Sequence, residues 1–443
     1  MQQPRDKPRE AAAAILREAE RGLPADRLLE RERRGLDGRD GAFLLELVAG
    51  VLRNRARIDW LLDRCSAKPV STTDDWTRNI LRLAAYQLLF LDRVPASAAV
   101  NTATEMAKAR GKKPGYVNGL LRALDRQRES LPLPSSPDPV ERLALLYSHP
   151  VWLVRRWSGR FGPAQTEELL RSNNRDAPLV IRTNTLKGTR DELLALLASQ
   201  GAEARPARCS PAGIELLAGP GITVLPAYRD GRFLVQDEAA QLVGLLLGPQ
   251  PGERVLDACA APGGKATHLA ELMGDRGEVV ALELDEKRIA RIRENCDRLG
   301  ITIVRAVTGD AAQYRDDGFD RVLIDAPCSG LGVLRRHPDG RWTKTEESIR
   351  DRATLQAKIL ANCATLVRPG GVLVYATCTT EPEENEEIVN DFLAKHPAFT
   401  LDDPLPHLPP SAAKLVGAGR FFRTFPDEPS MDGFFAARIQ RAG

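Results

Sequence analysis

From Glu253 onward the sequence alternates short apolar runs with amphipathic segments, and few folds accommodate that alternation. Strands are predicted at 254–257, 278–283, 303–307, 321–325 and 371–376, and helices near 265–273, 286–299, 346–366 and 383–394. Parallel strands need a crossover between them, and a helix supplies it, so the pattern predicts a doubly wound, mostly parallel sheet. Ligands of such sheets sit at the carboxyl ends of the strands. Chemistry is expected there.

The first 130 residues read differently. Apolar residues recur at three- and four-residue spacing over 11–20, 42–54, 56–65, 77–91, 97–108 and 117–127, with Pro95 and Gly111 punctuating the last three segments. Few β-branched runs occur, so 1–130 is expected to be an all-α domain. The stretch Leu131-Pro132-Leu133-Pro134-Ser135-Ser136-Pro137-Asp138-Pro139 cannot continue a helix and opens a linker, 131–144. Residues 145–240 mix helices (150–161, 191–200) with strands (179–184, 213–216, 231–236), a small α+β domain. The α/β, Rossmann-like sheet domain takes 241–443.

Composition narrows the setting. No apolar run has the length to cross a membrane. The start Met1-Gln2-Gln3-Pro4-Arg5 and the Ala11–Leu16 run that Arg17 ends are too charged and too short for a secretory signal. Seven cysteines, an odd number over a long chain, predict reduced thiols of a cytoplasmic protein. Net charge is +3, unevenly placed: residues 1–130 carry 25 Lys+Arg against 18 Asp+Glu, and the remainder carries 38 against 42. A basic head suits a polyanionic partner, although on charge alone a solvated Arg-rich surface is the more ordinary reading.

Candidate ligand residues cluster at the strand ends. Asp257-Ala258-Cys259-Ala260-Ala261-Pro262-Gly263-Gly264-Lys265 ends the first strand in small residues that admit close approach of a ligand to the backbone. It lacks the full G-x-G-x-x-G of a dinucleotide site and is too short for a P-loop. Glu283 ends the second strand, where a carboxylate accepts the ribose hydroxyls of an adenosine-containing cofactor. Asp310 follows the third strand, where an adenine ring would lie, and Asp325 closes the fourth. One such acid is as readily a helix cap; four in register point to a site.

Two thiols fall just past strand ends, Cys328 in Asp325-Ala326-Pro327-Cys328-Ser329 and Cys378 in Ala376-Thr377-Cys378-Thr379. A pyrimidine C5 is too weak a nucleophile to take a methyl from a sulfonium unaided. A thiolate added at C6 makes C5 enamine-like, and a second group on the N3 edge and a third assisting elimination complete the reaction. Cys378, Asp325 and Cys328 offer these three functions. Cys65, Cys209, Cys296 and Cys363 lack such context and read as buried hydrophobes. A metal site from Cys328, Cys378 and His337 is the alternative, but no C-x-x-C or paired-His spacing supports it, and none is expected.

These motifs resemble the signatures of the RNA cytosine-5 methyltransferases of the Sun/Fmu superfamily. The amino-terminal region is similar to the helical RNA-binding fold of NusB, through Ala56-Arg57-Ile58-Asp59, Leu81-Arg82-Leu83-Ala84-Ala85-Tyr86 and Tyr116-Val117-Asn118-Gly119-Leu120-Leu121. A NusB-like head on this catalytic domain is the layout of bacterial enzymes acting on small-subunit (16S) ribosomal RNA, which the resemblance implies is met before full subunit assembly. It also implies S-adenosylmethionine held by Cys259, Ala260, Ala261, Pro262, Gly263, Gly264, Lys265, Glu283, Asp310 and Asp325, Cys378 as nucleophile and Cys328 in product release. By the same resemblance, Arg335-Arg336-His337-Pro338-Asp339 contacts RNA or shapes the pocket, and Arg182-Thr183-Asn184-Thr185 belongs to the small domain. Glu283 departs from the Asp of many relatives. A transfer-RNA cytosine methyltransferase and a non-catalytic RNA-binding assembly factor are the alternative readings.

Overall fold

The computed structural model describes residues 6–426 and 431–443; the Met1–Arg5 start, read above as no secretory signal, lies outside them. The chain divides into two compact units. One runs to Arg175 and includes Leu334–Thr343; the other comprises Asp176–Val333 and Lys344–Gly443.

The first unit is helical: α1 (Lys7–Glu20), α2 (Ala25–Arg33), α3 (Gly38–Arg64), α4 (Asp75–Phe90), α5 (Ala96–Ala109), α6 (Pro114–Gln127), α7 (Pro139–Leu146), α8 (Val151–Phe161) and α9 (Pro163–Ser172). Ile15, Leu47, Ile80, Ala107 and Leu121 share one core across α1 and α3–α6. Where periodicity suggests two helices over 42–65, the structure has one of 27 residues. The polar stretch Arg53–Arg57 holds no Gly or Pro, so nothing breaks the helix there. Polar groups are also paired inside this unit. Glu20 accepts from Arg78 Nε (3.0 Å), Arg82 Nη1 (2.7 Å) and Asn79 Nδ2 (2.8 Å). Burial pushes its carboxyl up, but these donors outweigh it and hold Glu20 at about 2. Part of the head's basic surplus is therefore internal.

The second unit carries two sheets. The smaller has the antiparallel order β2-β3-β1-β4, from β1 (Leu179–Thr183), β2 (Glu203–Pro206), β3 (Gly213–Ala218) and β4 (Phe233–Val235). Helix α10 (Arg190–Ser199) covers it through Leu193 and Leu197, which meet Ile181, Ile214 and Phe233; the short α11 (Pro226–Arg229) precedes β4. Helix α12 (Glu238–Leu247) follows. The larger sheet comprises β5 (Arg254–Ala258), β6 (Glu278–Glu283), β7 (Val304–Thr308), β8 (Phe319–Asp325), β9 (Val367–Thr377), β10 (Phe399–Leu401), β11 (Phe422–Arg423) and β12 (Phe435–Arg441). Its order is β10-β12-β9-β8-β5-β6-β7, with β11 on β12. Strands β5 to β9 are parallel, and β12 runs antiparallel to β9.

Helices on both faces explain the continuous apolar runs. Val255, Val279, Ala281, Leu323 and Val374 feed one core, with α12 and α13 (Gly264–Leu272); Leu256, Val280, Leu282, Val322 and Tyr375 feed the other, with the helix Glu346–Thr365. The five predicted strands and their helices, including α14 (Glu286–Leu299), are all present. The strand order reverses between β5 and β8, the switch point at which a ligand crevice forms.

One buried ion pair ties the small sheet to α13. Arg182 on β1 donates to Glu271 Oε1 (2.8 Å) and Oε2 (2.9 Å), Thr267 Oγ1 (3.0 Å), the Gly264 carbonyl (2.6 Å) and Gln236 Oε1. All five N–H donors of the guanidinium are thus met.

Candidate active site

The turn after β5 is built for close contact. Cys259 (φ 63°) and Gly263 (φ 98°) sit in the left-handed region that favours glycine. A Cβ on Gly263 would come within 3.2 Å of Ile292 Cα in α14, so the loop packs where a side chain would crowd. Ala260 and Ala261 are buried, and Lys265 projects from the first turn of α13. Its Nζ donates to Asp325 Oδ2 at 2.6 Å, and the Asp325 side chain keeps 31% of its exposure. Burial opposes the Lys265 charge, but Asp325 and Asp257 outweigh it and its pKa is raised. The Asp257 carboxylate is fully buried, and neither oxygen meets a hydrogen-bond partner in good geometry. Burial, then the Asp325 charge, pushes it up to about 8.

The acids on the other strands are partly engaged. Glu283 accepts from the backbone of Ala261 (3.2 Å) and Asp285 (3.1 Å) and pairs with Arg288 at 3.3 Å. It therefore closes the turn after β5 against the end of β6. Asp310 accepts from Ala312 N (2.9 Å) and Gln313 Nε2 (3.1 Å), the pattern of a turn-capping acid.

The fold brings the two thiols together. Cys328 and Cys378 stand with their Sγ atoms 3.2 Å apart, and the Cys378 N–H donates to Cys328 Sγ at 3.3 Å. Parallel pairing of β8 with β9 places Asp325 beside Ala376, so the loops that follow both strands leave the same rim. Both thiols are partly exposed. The hydrogen bond with Cys328 foremost, then burial and the nearby Asp325 charge, push the Cys378 thiol well up, while Lys265 pulls it down. Cys363 and Cys296 are different: both lie inside the cores, and burial drives them to about 12 and about 11. Burial also raises Cys259, which lines the core side of its turn.

Periodicity gives no hint of the residues that frame the thiols. Glu384 and Asn385 fall at the start of the helix predicted over 383–394; instead Pro382–Glu384 is a 3-10 turn and the helix begins at Glu386. Both side chains turn back onto the thiol loops. The Arg335–Asp339 segment packs within the helical unit: Arg53 donates to the Arg335 carbonyl (3.1 Å), Asp339 accepts from Ala25 N (3.1 Å), and Arg341 reaches the Ser148 and Asn173 carbonyls. Among the described residues, no three His, Cys, Asp or Glu form a metal cluster, and no helix is long and apolar enough to span a membrane.

Three family models match along the chain. The NusB family model matches residues 6–126, a ferredoxin-like domain model of RsmF/B-like methyltransferases matches 149–223, and the model of 16S rRNA methyltransferase RsmB/F matches 244–440. A probable ribosomal RNA small subunit methyltransferase B of Bacillus subtilis is 39% identical, with 92% of each chain covered. Ribosomal RNA small subunit methyltransferase B of Salmonella arizonae is 36% identical over 97% of each. The solved structure of PH0851 superimposes with a TM-score of 0.83 at 30% identity over both full chains. Head, middle domain and sheet each match their counterpart in order, and the relatives align from end to end: this chain belongs to the RsmB/F family of 16S ribosomal RNA methyltransferases.

Proposed function

We propose that this protein methylates C5 of a cytosine in 16S ribosomal RNA through a covalent bond between Cys378 and C6 of the base. The observation that carries this reading is the thiol pair, 3.2 Å apart at the strand-end rim that also holds the Lys265–Asp325 pair. S-adenosylmethionine, when bound, supplies the electrophilic methyl group. The residues present fit it: the buried Asp257 carboxylate lacks a well-formed partner, Gly263 makes the left-handed turn into α13, and Glu283 lies at the end of β6. Cys259–Lys265, Glu283, Asp310 and Asp325 would hold it.

The chain's own residues then divide the work. Cys378 gives up its proton and its sulfur adds to C6, moving the ring electrons towards C5 and N3. The N3 edge needs a proton-bearing partner, and the Lys265–Asp325 hydrogen bond offers one. After C5 has gained its methyl, the Cys328 thiolate takes the C5 proton, the C5–C6 double bond re-forms and Cys378 departs as thiolate. Cys328, adjacent to that sulfur, assists this elimination. RNA carrying tritium at cytosine C5 tests the scheme, because substitution there releases the label. The expected result is release from small-subunit ribosomal RNA with S-adenosylmethionine present. Release from transfer RNA alone would redirect the substrate, and methylation without release would contradict attack at C5.

Two further outcomes follow. Glu283→Ala should weaken S-adenosylmethionine binding about tenfold by calorimetry, with the chain still folded by circular dichroism, since a charge-assisted hydrogen bond contributes about 1.5–3 kcal/mol. Unchanged affinity would remove Glu283 from the site. In the head, Lys108, Lys113, Arg122 and Arg126 are exposed on and between α5 and α6. Replacing Arg122 and Arg126 with Ala should weaken RNA binding. It should also flatten the salt dependence by about one unit of log–log slope for each phosphate left without its cation. An unchanged slope would place RNA binding elsewhere.

A further inference from the structure

One carboxylate holds the residue after Cys328 and, through Gln356, the residue before it. Glu384 is fully buried. Its Oε1 accepts from Ser329 N at 2.8 Å and its Oε2 from Ser329 Oγ at 2.5 Å. Gln356 Nε2 donates to Glu384 Oε1 (2.9 Å) and to the Pro327 carbonyl (3.1 Å), so the same cluster grips the residue before Cys328 as well. Ser329 Oγ also meets Thr379 Oγ1 at 2.8 Å, which links the loop to the residue after Cys378. The Tyr375 hydroxyl donates to the Glu384 carbonyl at 2.7 Å and anchors the turn on β9.

The neighbouring Asn385 serves the other thiol. Thr377 Oγ1 donates to its Oδ1 at 2.5 Å, and its Nδ2 donates to the Thr379 carbonyl at 2.9 Å. It thus holds the residues on either side of Cys378. Consecutive side chains therefore each fix one of the two loops, and the Ser329–Thr379 hydrogen bond joins them.

We infer that Glu384 is a positioning residue that sets Cys328 for resolving the adduct on Cys378, an inference that rests on the covalent scheme above. A carboxylate kept from water is costly unless its oxygens are met, and here three donors meet them. Burial raises the Glu384 carboxyl while Ser329 and Gln356 lower it. A displacement of about 1 Å in a reacting group costs up to about 100-fold in rate, so a loosened Cys328 loop would slow elimination and leave attack by Cys378 intact.

The test uses the full chain with Glu384→Ala, Glu384→Gln, Ser329→Ala, Asn385→Ala and Cys328→Ala. Each is incubated with S-adenosylmethionine and substrate RNA, and protein–RNA conjugates are resolved on a denaturing gel beside turnover and cofactor affinity. Glu384→Ala is expected to accumulate conjugate as Cys328→Ala does, with turnover down about 10- to 100-fold and cofactor affinity held. Glu384→Gln keeps an acceptor for Ser329 N–H and should recover turnover to within about fivefold of the parent. Ser329→Ala, the milder change should Glu384→Ala not fold, should accumulate conjugate to a lesser degree. Asn385→Ala should instead form less conjugate. If Cys328→Ala traps RNA and neither Glu384→Ala nor Ser329→Ala does, the inference is wrong. Loss of conjugate in both Glu384→Ala and Asn385→Ala also overturns it, since both would then act on the site as a whole. If Cys328→Ala itself does not trap, the thiol assignment fails and this inference falls with it.

Discussion

Replacing Cys378 with Ala is expected to abolish methyl transfer, by on the order of 10⁴-fold or more, as removal of a nucleophile does elsewhere. The covalent conjugate should vanish with it, because no other group at this rim activates C5. Cys328→Ala should behave in the opposite way. The hydrogen bond with Cys328 is the largest influence raising the Cys378 pKa. Its removal leaves Cys378, Lys265 and Asp325 in place, so attack should be retained. Elimination should slow by about 100-fold, the scale of lost proton-transfer assistance, leaving protein attached to RNA. The assay is a denaturing gel run against time, together with methyl incorporation. Trapping by Cys378→Ala and none by Cys328→Ala would reverse the two roles.

The largest expected effect on stability lies behind the site. Arg182 and Glu271 have side-chain exposures of 0% and 1%. Arg182→Met leaves the Glu271 carboxylate buried without its cation, together with the orphaned Gly264 carbonyl. Breaking one partner of such a pair costs about 3–5 kcal/mol, to be read from urea unfolding of the second unit. Arg182→Lys should recover little, because a single ammonium cannot serve both carboxylate oxygens, Thr267 and Gly264 at once. Arg182→Met combined with Glu271→Leu should recover most of the loss, since the desolvated charge is then gone. A drop of less than about 1 kcal/mol in the single variant, within the range of an exposed pair, would show that Arg182 does not hold the small sheet to α13.

Sequence pattern located the parallel strands within a few residues because both faces of each are buried, and such strands stand out as apolar runs. It also located the acids and thiols, which fall at strand ends where chain geometry leaves little choice. Elements whose burial is less usual escaped. Helix α12 is buried on nearly every side and shows no amphipathic period, so Glu238–Leu247 did not read as a helix. Helix α2 buries only Ala25 and Leu28 and gave too weak a stripe. Strand β12 carries Arg438, buried at 5% exposure and paired with Asp402 at 2.6 Å, which interrupts the apolar run. The frame of Glu384 and Asn385 was hidden for another reason. Hydrogen bonds across some 55 residues of sequence leave no local pattern, and in an acidic run beside Pro382 the plainer reading is a helix start. Likewise, the ten residues from Leu334 to Thr343 give no sign in sequence that they pack with the helical unit.

Deposition of 5-methylcytosine in small-subunit ribosomal RNA, with Cys378 as nucleophile, is the proposed activity. It is tested most directly by mapping 5-methylcytosine in that RNA from cells with the intact protein, without it, and with Cys378→Ala in its place. A modified cytosine should be present only with the intact protein. Modification that persists without the protein, or that is restored by the Cys378→Ala variant, would contradict it.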